Sequence, residues 1–477
     1  MLEAQALVLL LRDVLLLIGV GVGLACGVSI LYLLTLTFAA TRARAAISKT
    51  AIEAHTPDVL PNFTIVIPAH NEEAVLAATL DSLRAQQYPA NRFSVVVVAD
   101  NCTDRTAQLA REHGADCILE RTNLDLRGKG YALQWAFAHL LDSNNTTEPQ
   151  NIGDSADAFV IVDADTFVAP DFLMVAAARL IKQAHRCGAS IRTIRSAFQG
   201  RYSVLNPEGG WRAALMTAAF ELCNHVKLLG AAHLGWAVGL KGNGMVFTRA
   251  LLTSVPWQGS SITEDIDYGL DLLLHHQIRA DYEPYARVWA QMPVGDKPAA
   301  SQRERWERGR YRLLRDRTPR LWQRGLVERR GALLAAALDL SVPPLAEIVG
   351  LLFVWGLLAV AAAGLGAGKA ALLLMIVWGV CCAGLVIYVF AGLRLAGATS
   401  ETWAALWHVP VYVIWKIGLY AKRFVLGRRL RIGKKVNDAS SPDVDSWVRT
   451  ERIALGTPGA ENIRVAGSSP QTDTEAS

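Results

Sequence analysis

Two aspartates, Asp163 and Asp165, follow the short apolar run at residues 159–162. Four apolar residues, mostly β-branched or aromatic, predict a buried strand that ends at these carboxylates. Side chains alternate along an extended chain, so both carboxylates are expected on one side. Because two like charges repel unless a cation lies between them, the pair suits Mg²⁺ or Mn²⁺. The pattern predicts a metal site that holds a diphosphate, and the alternative is a solvated Asp-Ala-Asp turn.

Further polar residues stand near the ends of the neighbouring predicted strands. Pro68 and Glu72 belong to the loop after the first strand, Asp100 follows the second, and Lys129 lies in a glycine-rich turn. Ligands of a parallel sheet bind at the carboxyl ends of its strands, so these residues indicate a nucleotide cleft beside Asp163. Glu72 and Asp100 have an alternative role as helix caps, and the lysine has one as a solvated side chain.

Residues 263–265 read Thr-Glu-Asp at the start of a predicted helix that ends at His276. Thr263 is a good N-cap residue, which places Glu264 and Asp265 in the first turn, where the helix dipole favours the ionised form. A carboxylate kept ionised there can accept a proton from a hydroxyl group. The alternative is an ordinary capped helix start with no chemical role.

A second constellation combines an amide, a guanidinium and an indole. Gln302, Arg305 and Trp306 fall at positions i, i+3 and i+4, hence on one face of a helix. Such a face suits a diphosphate and a sugar ring stacked on the indole. The arginines that follow, at residues 308–320, would serve an anionic lipid surface.

The elements that must position these residues form an alternating pattern. Strands followed by helices along residues 62–165 predict an α/β domain with a mostly parallel sheet. Beyond residue 165 the alternation fades, and helices at 172–185 and 211–230 are predicted together with a glycine-broken strand at 239–247. The predicted strands lie at residues 63–67, 93–98, 117–120, 159–162, 192–199 and 239–247.

The composition indicates a membrane protein. Of 477 residues, 52% are hydrophobic, and the mean hydropathy of +0.24 is too high for an ordinary soluble enzyme. Residues 14–40 are almost continuously apolar, longer than the roughly 20 residues needed to cross a bilayer. Arg42, Arg44 and Lys49 follow this run, so the positive-inside rule places the next domain in the cytoplasm.

Charge and cysteine usage exclude other classes. A net charge of +5 fits basic membrane flanks, and no interleaving of aromatic and basic residues indicates nucleic acid as a partner. The 7 cysteines contain no CxxC pair, which disfavours a zinc site and a disulfide framework.

The C-terminal third carries further apolar segments. Residues 348–365 and 370–393 are predicted to span the membrane, residues 333–340 to lie at its interface, and residues 403–420 to be interfacial or re-entrant. The tail at 437–477 is expected to be disordered, except for a docking segment at 447–452. The predicted domains are an N-terminal transmembrane helix (1–45), a cytoplasmic catalytic domain (46–300), basic interfacial helices (301–345), transmembrane and interfacial helices (346–436) and the tail (437–477).

Four motifs follow one another in order between the predicted membrane helices: Asp100, Asp163-Ala164-Asp165, Thr263-Glu264-Asp265 and Gln302-Arg303-Glu304-Arg305-Trp306. In order and spacing they resemble the family-2 glycosyltransferases with a GT-A fold, in the branch of the cellulose, hyaluronan and poly-N-acetylglucosamine synthases. The resemblance covers residues 62–322, and the membrane helices add most of the rest. It implies a Rossmann-like α/β domain that binds a nucleotide-sugar, beside transmembrane and interfacial helices.

The resemblance also implies roles for individual residues. Asp265 would be the general base for the acceptor hydroxyl, with Glu264 beside the acceptor, and Asp165 would bind Mg²⁺ or Mn²⁺. The nucleotide and donor residues implied by the resemblance are Asp100 for the uracil with the loop from Pro68 to Glu72, Asp163 and Lys129 near the diphosphate, and Gln302, Arg305 and Trp306 along the diphosphate and acceptor.

The implied activity is an inverting, metal-dependent transfer of a sugar from a UDP-sugar to a growing β-linked polysaccharide, as in a processive exopolysaccharide synthase of a bacterial-type inner membrane. The alternative is transfer of one sugar to a membrane lipid, since three spans are few for a polymer channel. The implied partners are the UDP-sugar, a glycan or lipid acceptor, the lipid bilayer, and an export partner or a second copy of the chain. A receptor with a degenerate nucleotide fold would lack these acids. No motif identifies the sugar.

Overall fold

The computed structural model describes residues 2–50, 60–142, 149–259, 261–292, 296–416 and 418. The predicted tail at 437–477, its docking segment and the end of the apolar stretch at 403–420 lie outside these residues.

The α/β domain is built on one eight-stranded mixed sheet with the order β3-β2-β1-β4-β7-β6-β8-β5. Strands β1 to β4 pair in parallel, as the alternating pattern predicted. Their apolar, β-branched sequences fit because helices cover both faces of this part of the sheet. The strands are β1 (Phe63–Ala69), β2 (Phe93–Asp100), β3 (Cys117–Arg121), β4 (Ala158–Ile161), β5 (Thr166–Val168), β6 (Ala197–Val204), β7 (Met245–Thr248) and β8 (Asp281–Ala290).

The second half of the sheet departs from the sequence prediction. Strand β7 runs antiparallel to both β4 and β6, so the sheet is mixed rather than mostly parallel. The strand predicted at 192–199 begins five residues later, at Ala197, and the one predicted at 239–247 is confined to β7. Gly242 and Gly244 have φ angles of +77° and +65°, which no strand adopts, so the segment before β7 is a loop.

The helices alternate with these strands and then form the membrane region. They are α1 (Leu2–Thr50), α2 (Leu76–Arg84), α3 (Thr106–Glu112), α4 (Lys129–Leu141), α5 (Pro149–Ser155), α6 (Phe172–Arg186), α7 (Trp211–Phe220), α8 (Lys227–His233), α9 (Arg249–Ser254), α10 (Glu264–His275), α11 (Asp296–Asp316), α12 (Thr318–Val327), α13 (Gly331–Ser341), α14 (Leu345–Gly364), α15 (Gly368–Ala396) and α16 (Ser400–Ala405). A π-helical segment, Glu221–Val226, joins α7 to α8, so the helix predicted at 211–230 is continuous but locally widened.

Two apolar layers hold the sheet between its helices. One contains Leu76 and Leu80 of α2 together with Phe172 of α6. The other contains Leu133 of α4 and Leu272 of α10. Because helices pack on both faces of the sheet, the carboxyl ends of the parallel strands are held in place. The polar residues that follow these strands are therefore held in place as well.

Within the residues that the structure describes, three helices are long and apolar enough to cross a membrane: Gln5–Arg44 within α1, Leu345–Gly364 and Gly368–Ala396. The first and third extend the predicted spans at both ends, and the second begins three residues before its predicted start and ends one residue before its predicted end. Trp355 of α14 packs against α1, where a Cβ at Gly23 would lie 2.7 Å from its ring. The helices therefore form one packed group, which associates the protein with membranes.

Helix α13 covers the segment predicted as interfacial, residues 333–340. Its Leu333 and Ala337 are fully buried against Leu270 and Leu274 of α10. One face of this helix thus belongs to the core of the α/β domain.

Candidate active site

Three motifs that lie far apart in sequence meet around Gly242. The Lys129 ammonium donates to both Asp163 and the Gly242 carbonyl. A Cβ placed on Gly242 would lie 3.3 Å from an Asp265 carboxylate oxygen and 3.4 Å from the Lys129 nitrogen. Because Gly242 also has a positive φ, a glycine there lets the backbone approach both charged groups. The first aspartate of the Asp-x-Asp motif and the predicted base therefore share one site.

The turn after β4 is held by side chains that the sequence analysis did not single out. The Asn243 side chain accepts from the Asp163 N–H at 3.2 Å and donates to the Thr166 hydroxyl at 2.7 Å. Gln199 donates to the Asn243 carbonyl at 2.7 Å and accepts from the Lys241 N–H at 2.8 Å. Asn243 and Gln199 are completely buried. A buried side-chain amide whose groups are hydrogen-bonded holds its neighbours in place. In the sequence, the asparagine between two glycines at 242–244 was the signal that could have identified this support.

The first turn of α10 carries Glu264 and Asp265, as predicted, but the prediction that the Thr263 side chain caps this helix is wrong. Thr263 makes no capping hydrogen bond, and its hydroxyl is buried with no hydrogen-bond partner in the part of the chain that the structure describes. Its φ and ψ of −119° and 54° are not those of extended backbone. The reason is packing from α11: a Cβ on Gly309 would lie 2.2 Å from the Thr263 methyl group. Thr263 is thus an apolar contact between helices.

Burial changes the acidity of both carboxyls. Burial, and then the charge of Asp265, raise the pKa of Glu264 to about 7. Burial also raises the pKa of Asp265, although the Ile266 N–H and the ammonium groups of Lys129 and Lys241 oppose it. A base with a raised pKa binds a proton more readily, which suits proton abstraction near neutral pH.

Helix α11 brings the amide, guanidinium and indole motif to the same region. Trp306 packs against Phe220 of α7 with ring centroids 6.2 Å apart. Tyr202 lies within electrostatic range of Asp163 and Arg305, and burial raises its pKa. Gln302 is buried. The helix begins at Asp296, before the predicted boundary at residue 301.

The predicted uracil-binding residues lie at the next parallel strands. Asp100 ends β2, which β1 separates from β4. Its carboxylate pairs with Arg121 and is 7% exposed. Glu72 is buried in the loop after β1, where its N–H donates to the Thr106 hydroxyl at 2.8 Å. Pro68 lies within β1 rather than in the loop. The roles of these residues stay predictions, and Arg121 is a partner that the sequence analysis missed.

The acids of the β4–β5 turn fit a hard divalent cation. In nucleotide sites such a cation is held by one or two carboxylates together with phosphate oxygens of the ligand. Asp163 and Asp165 supply carboxylates of this kind, and both are partly exposed. No group of three or more His, Cys, Asp or Glu that could hold a metal occurs among the described residues, so the diphosphate would have to complete the coordination.

Comparison with known sequences identifies the class of protein. The family model described as "Glycosyltransferase like family 2" matches residues 61–309, which is more than half of the chain and includes all four motifs. The chain belongs to this family of glycosyltransferases. Its α/β domain has the GT-A fold, as the resemblance implied.

Two curated relatives illustrate the range of the family. The chain is 28% identical over 264 residues to the beta-monoglucosyldiacylglycerol synthase of Nostoc sp. (strain PCC 7120), an alignment covering 54% of this chain and 50% of the relative. It is 25% identical over 278 residues to an N-acetylglucosaminyltransferase of Rhizobium leguminosarum bv. viciae, covering 56% and 60% of the two chains. The chain thus spans about half the length of the curated relatives it matches.

Among solved structures, the mannosyltransferase PcManGT from Pyrobaculum calidifontis, in complex with GDP-Man and Mn²⁺, aligns with 84% of this chain and 99% of its own. The sequence identity is 20% and the TM-score 0.44.

Proposed function

We propose that this protein transfers one sugar from a UDP-sugar to a hydroxyl group of a membrane lipid, with inversion at the anomeric carbon. The observation that carries the chemistry is the meeting of Lys129, Asp163 and Asp265 at Gly242. The three candidate spans in the described part of the chain support a lipid acceptor, because they offer a bilayer beside the site but few helices for a polymer channel. The relative named as a glucosyldiacylglycerol synthase supports the same choice.

The reaction is a single displacement. Asp265 removes the proton of the acceptor hydroxyl while its oxygen forms a bond to the anomeric carbon, and the bond from that carbon to the diphosphate breaks, releasing UDP. Lys129 and Arg305 stabilise the negative charge on the departing diphosphate. A Mg²⁺ or Mn²⁺ ion held by Asp165 would supply further charge stabilisation when bound.

The central test replaces the base without changing its shape. We expect Asp265→Asn to lower kcat by about 10²- to 10⁴-fold and to leave UDP binding within about twofold, because the base acts only in the transition state. Transfer of radiolabel and UDP titration calorimetry measure the two quantities. Asp271→Asn, farther along α10, is the matched control. Equal loss of turnover and UDP binding in Asp265→Asn would contradict the assigned role.

Metal dependence is tested by chelation. We expect EDTA to abolish transfer and added Mn²⁺ or Mg²⁺ to restore it, and we expect Asp165→Asn to require at least about tenfold more metal because one carboxylate ligand is lost. Activity titrations with each metal measure the effect. Full activity in EDTA would contradict a metal-assisted mechanism.

Processive synthesis of a β-linked polysaccharide is the second candidate, favoured by the Gln302, Arg305 and Trp306 motif. The two functions differ in product length. Membranes incubated with a panel of labelled UDP-sugars yield one lipid species under the first function and a polymer under the second. The same panel identifies the donor sugar.

We further propose that the catalytic domain lies on the cytoplasmic side of a bacterial-type inner membrane. Cys187 follows α6 of this domain and is exposed, so it reports on sidedness. A membrane-impermeant maleimide added to intact cells should label Cys187 only after permeabilisation, with Cys187→Ser as the control. Labelling of Cys187 in intact cells would show instead that the domain lies on the outer side of the membrane.

A further inference from the structure

A short segment of the chain connects the first membrane helix to the active site. We call residues 236–242 the connecting segment. At its start, Trp236 stacks on Tyr32 of α1, with ring centroids 6.0 Å apart and planes 6° apart. At its end, Gly242 contacts Lys129 and Asp265. A molecule held along this segment would reach from the side of α1 to the predicted base.

The membrane end of the segment is lined by charged groups. Lys227 of α8 pairs with Asp339 of α13 at 2.8 Å, and the Tyr32 hydroxyl donates to the same carboxylate at 2.8 Å. The Asp339 charge is therefore already balanced by Lys227. Burial by itself would raise the pKa of the Asp339 carboxyl. The nearby Lys227 and Lys241 ammonium groups and the Tyr32 hydroxyl outweigh burial, so the pKa is lowered.

Lys241 is an additional cation in this cluster. Its N–H is held by Gln199, but its ammonium has neither a carboxylate partner nor a hydrogen-bond acceptor among the residues that the structure describes. Burial and the nearby Lys227 lower the pKa of Lys241, whereas Asp339 and Asp265 raise it. The local balance of Lys227, Lys241 and Asp339 is one net positive charge.

A partly buried ammonium that lacks a counter-ion attracts an anionic ligand, because water screens a charge pair less in such a position than at the open surface. An anionic ligand would supply that counter-ion. Asp265 is among the charges that act on the Lys241 ammonium, so an anion bound to Lys241 would lie on the side of the proposed base. The diphosphate is assigned to Lys129 and Arg305, which leaves the acceptor as the source of this anion.

We propose that Lys241, with the Lys227–Asp339 pair, forms a subsite for an anionic group, phosphoryl or carboxyl, on the lipid acceptor. This inference rests on the proposed function and narrows its substrate class. The lipid approaches beside Tyr32 and Trp236, its anionic group binds Lys241, and its hydroxyl then reaches Asp265. A lipid without the charge lacks this contact.

The test uses the full-length protein in nanodiscs of phosphatidylcholine that contain one candidate acceptor. Phosphatidylglycerol offers a phosphoryl group, glucuronosyl diacylglycerol a carboxyl group, and diacylglycerol only a hydroxyl. Wild type should use one of the charged lipids with at least about tenfold higher kcat/KM than diacylglycerol, since a hydrogen bond to a charged group has about this effect. The preferred charged lipid distinguishes phosphoryl from carboxyl recognition.

The variant Lys241→Met should raise the apparent KM for the charged lipid about tenfold or more and leave the KM for the UDP-sugar within about twofold. Lys241→Arg should recover most of the affinity. Lys182→Met, on the exposed surface of α6, is the matched control. Thermal unfolding checks each variant, and Lys241→Gln replaces Lys241→Met if the latter does not fold.

Two outcomes overturn the subsite. One is a wild type that uses diacylglycerol as well as the charged lipids. The other is a Lys241→Met variant whose defect is equal for all lipids and disappears at higher pH, since Lys241 would then act only through the acidity of Asp265. A wild type that glycosylates no lipid but makes polymer contradicts the proposed function itself, which separates the two failures.

Discussion

At the scale of single residues, the site combines acids in different environments. Asp163 is neutralised by the Lys129 ammonium, which also binds the Gly242 carbonyl. Glu264 is buried beside Asp265, and mutual repulsion and burial disfavour two negative charges there. The first acid is thus held by a cation, whereas the second pair is suited to exchange a proton.

This difference predicts the pH dependence of catalysis. The proposed base must be ionised, and burial raises the pKa of Asp265, so kcat/KM should rise with pH along a limb that lies above the ordinary range of an aspartate carboxyl. Glu264→Gln removes a neighbouring negative charge, lowers the pKa of Asp265 and should move that limb to lower pH. Profiles of kcat/KM from about pH 5 to 9 measure the shift.

The exposed Glu112→Gln in α3 is the control for a general charge effect. A limb that stays in place in Glu264→Gln would show that the two carboxyls do not titrate together.

At the scale of elements, the packing of α11 on the start of α10 determines whether the two motifs meet. Gly309 allows α11 to lie against Thr263, and Trp306 packs on α7 from the same helix. Arg317 extends the contact through an ion pair with Asp267 at 2.7 Å. The proposed base on α10 and the proposed donor and acceptor residues on α11 are therefore held at a fixed distance from one another.

Gly309→Ala should disturb this spacing. The added methyl would lie 2.2 Å from the Thr263 side chain. Overpacking of this kind costs about 1–3 kcal/mol, partly offset by about 1 kcal/mol of helix propensity. We expect a lower unfolding temperature and a severalfold lower kcat, measured by thermal unfolding and sugar transfer.

Gly350→Ala in α14 is the matched control, because a Cβ there meets nothing within 4 Å. If Gly309→Ala behaves like this control, the packing of α11 does not position the site.

At the scale of the whole molecule, the catalytic domain is packed directly on the membrane helices. A Cβ on Gly230 of α8 would lie 2.1 Å from the Leu36 carbonyl oxygen of α1, so the two backbones are in contact. Arg310 of α11 binds Glu347 of α14 at 3.3 Å, and Lys416 binds Glu307 at 3.1 Å. The orientation of the site relative to the helices therefore depends on all three contacts.

Gly230→Ala tests this docking. Its methyl would meet backbone, which cannot rotate away, so we expect a loss of about 1–3 kcal/mol or more in stability. Transfer to a membrane acceptor should fall more than hydrolysis of the UDP-sugar by water, because only transfer needs the alignment of α8 and α1. Product analysis and thermal unfolding in nanodiscs measure both effects.

The control for this variant is Gly379→Ala in α15, where a Cβ has open space. Equal loss of transfer and hydrolysis in Gly230→Ala would place the defect inside the catalytic domain instead.

The limits of sequence-based prediction follow the range of the interactions involved. Strands β1 to β4 were predicted because their apolar runs and the helices between them are local patterns. Strand β8 was missed because Pro284 interrupts the buried positions of its alternation and because its pairing with β6 joins distant parts of the chain. The cap predicted at Thr263 failed because a contact from α11 outweighed the local preference.

By itself, the sequence determined the family, the candidate acids and the three membrane helices, because each depends on residue types at short spacings. Only the tertiary structure decided that Lys129 binds Asp163, that Asn243 supports the turn beside it, and that Lys241 is without a partner among the described residues. These facts depend on which distant segments share one buried space, and burial there sets both charge pairing and acidity.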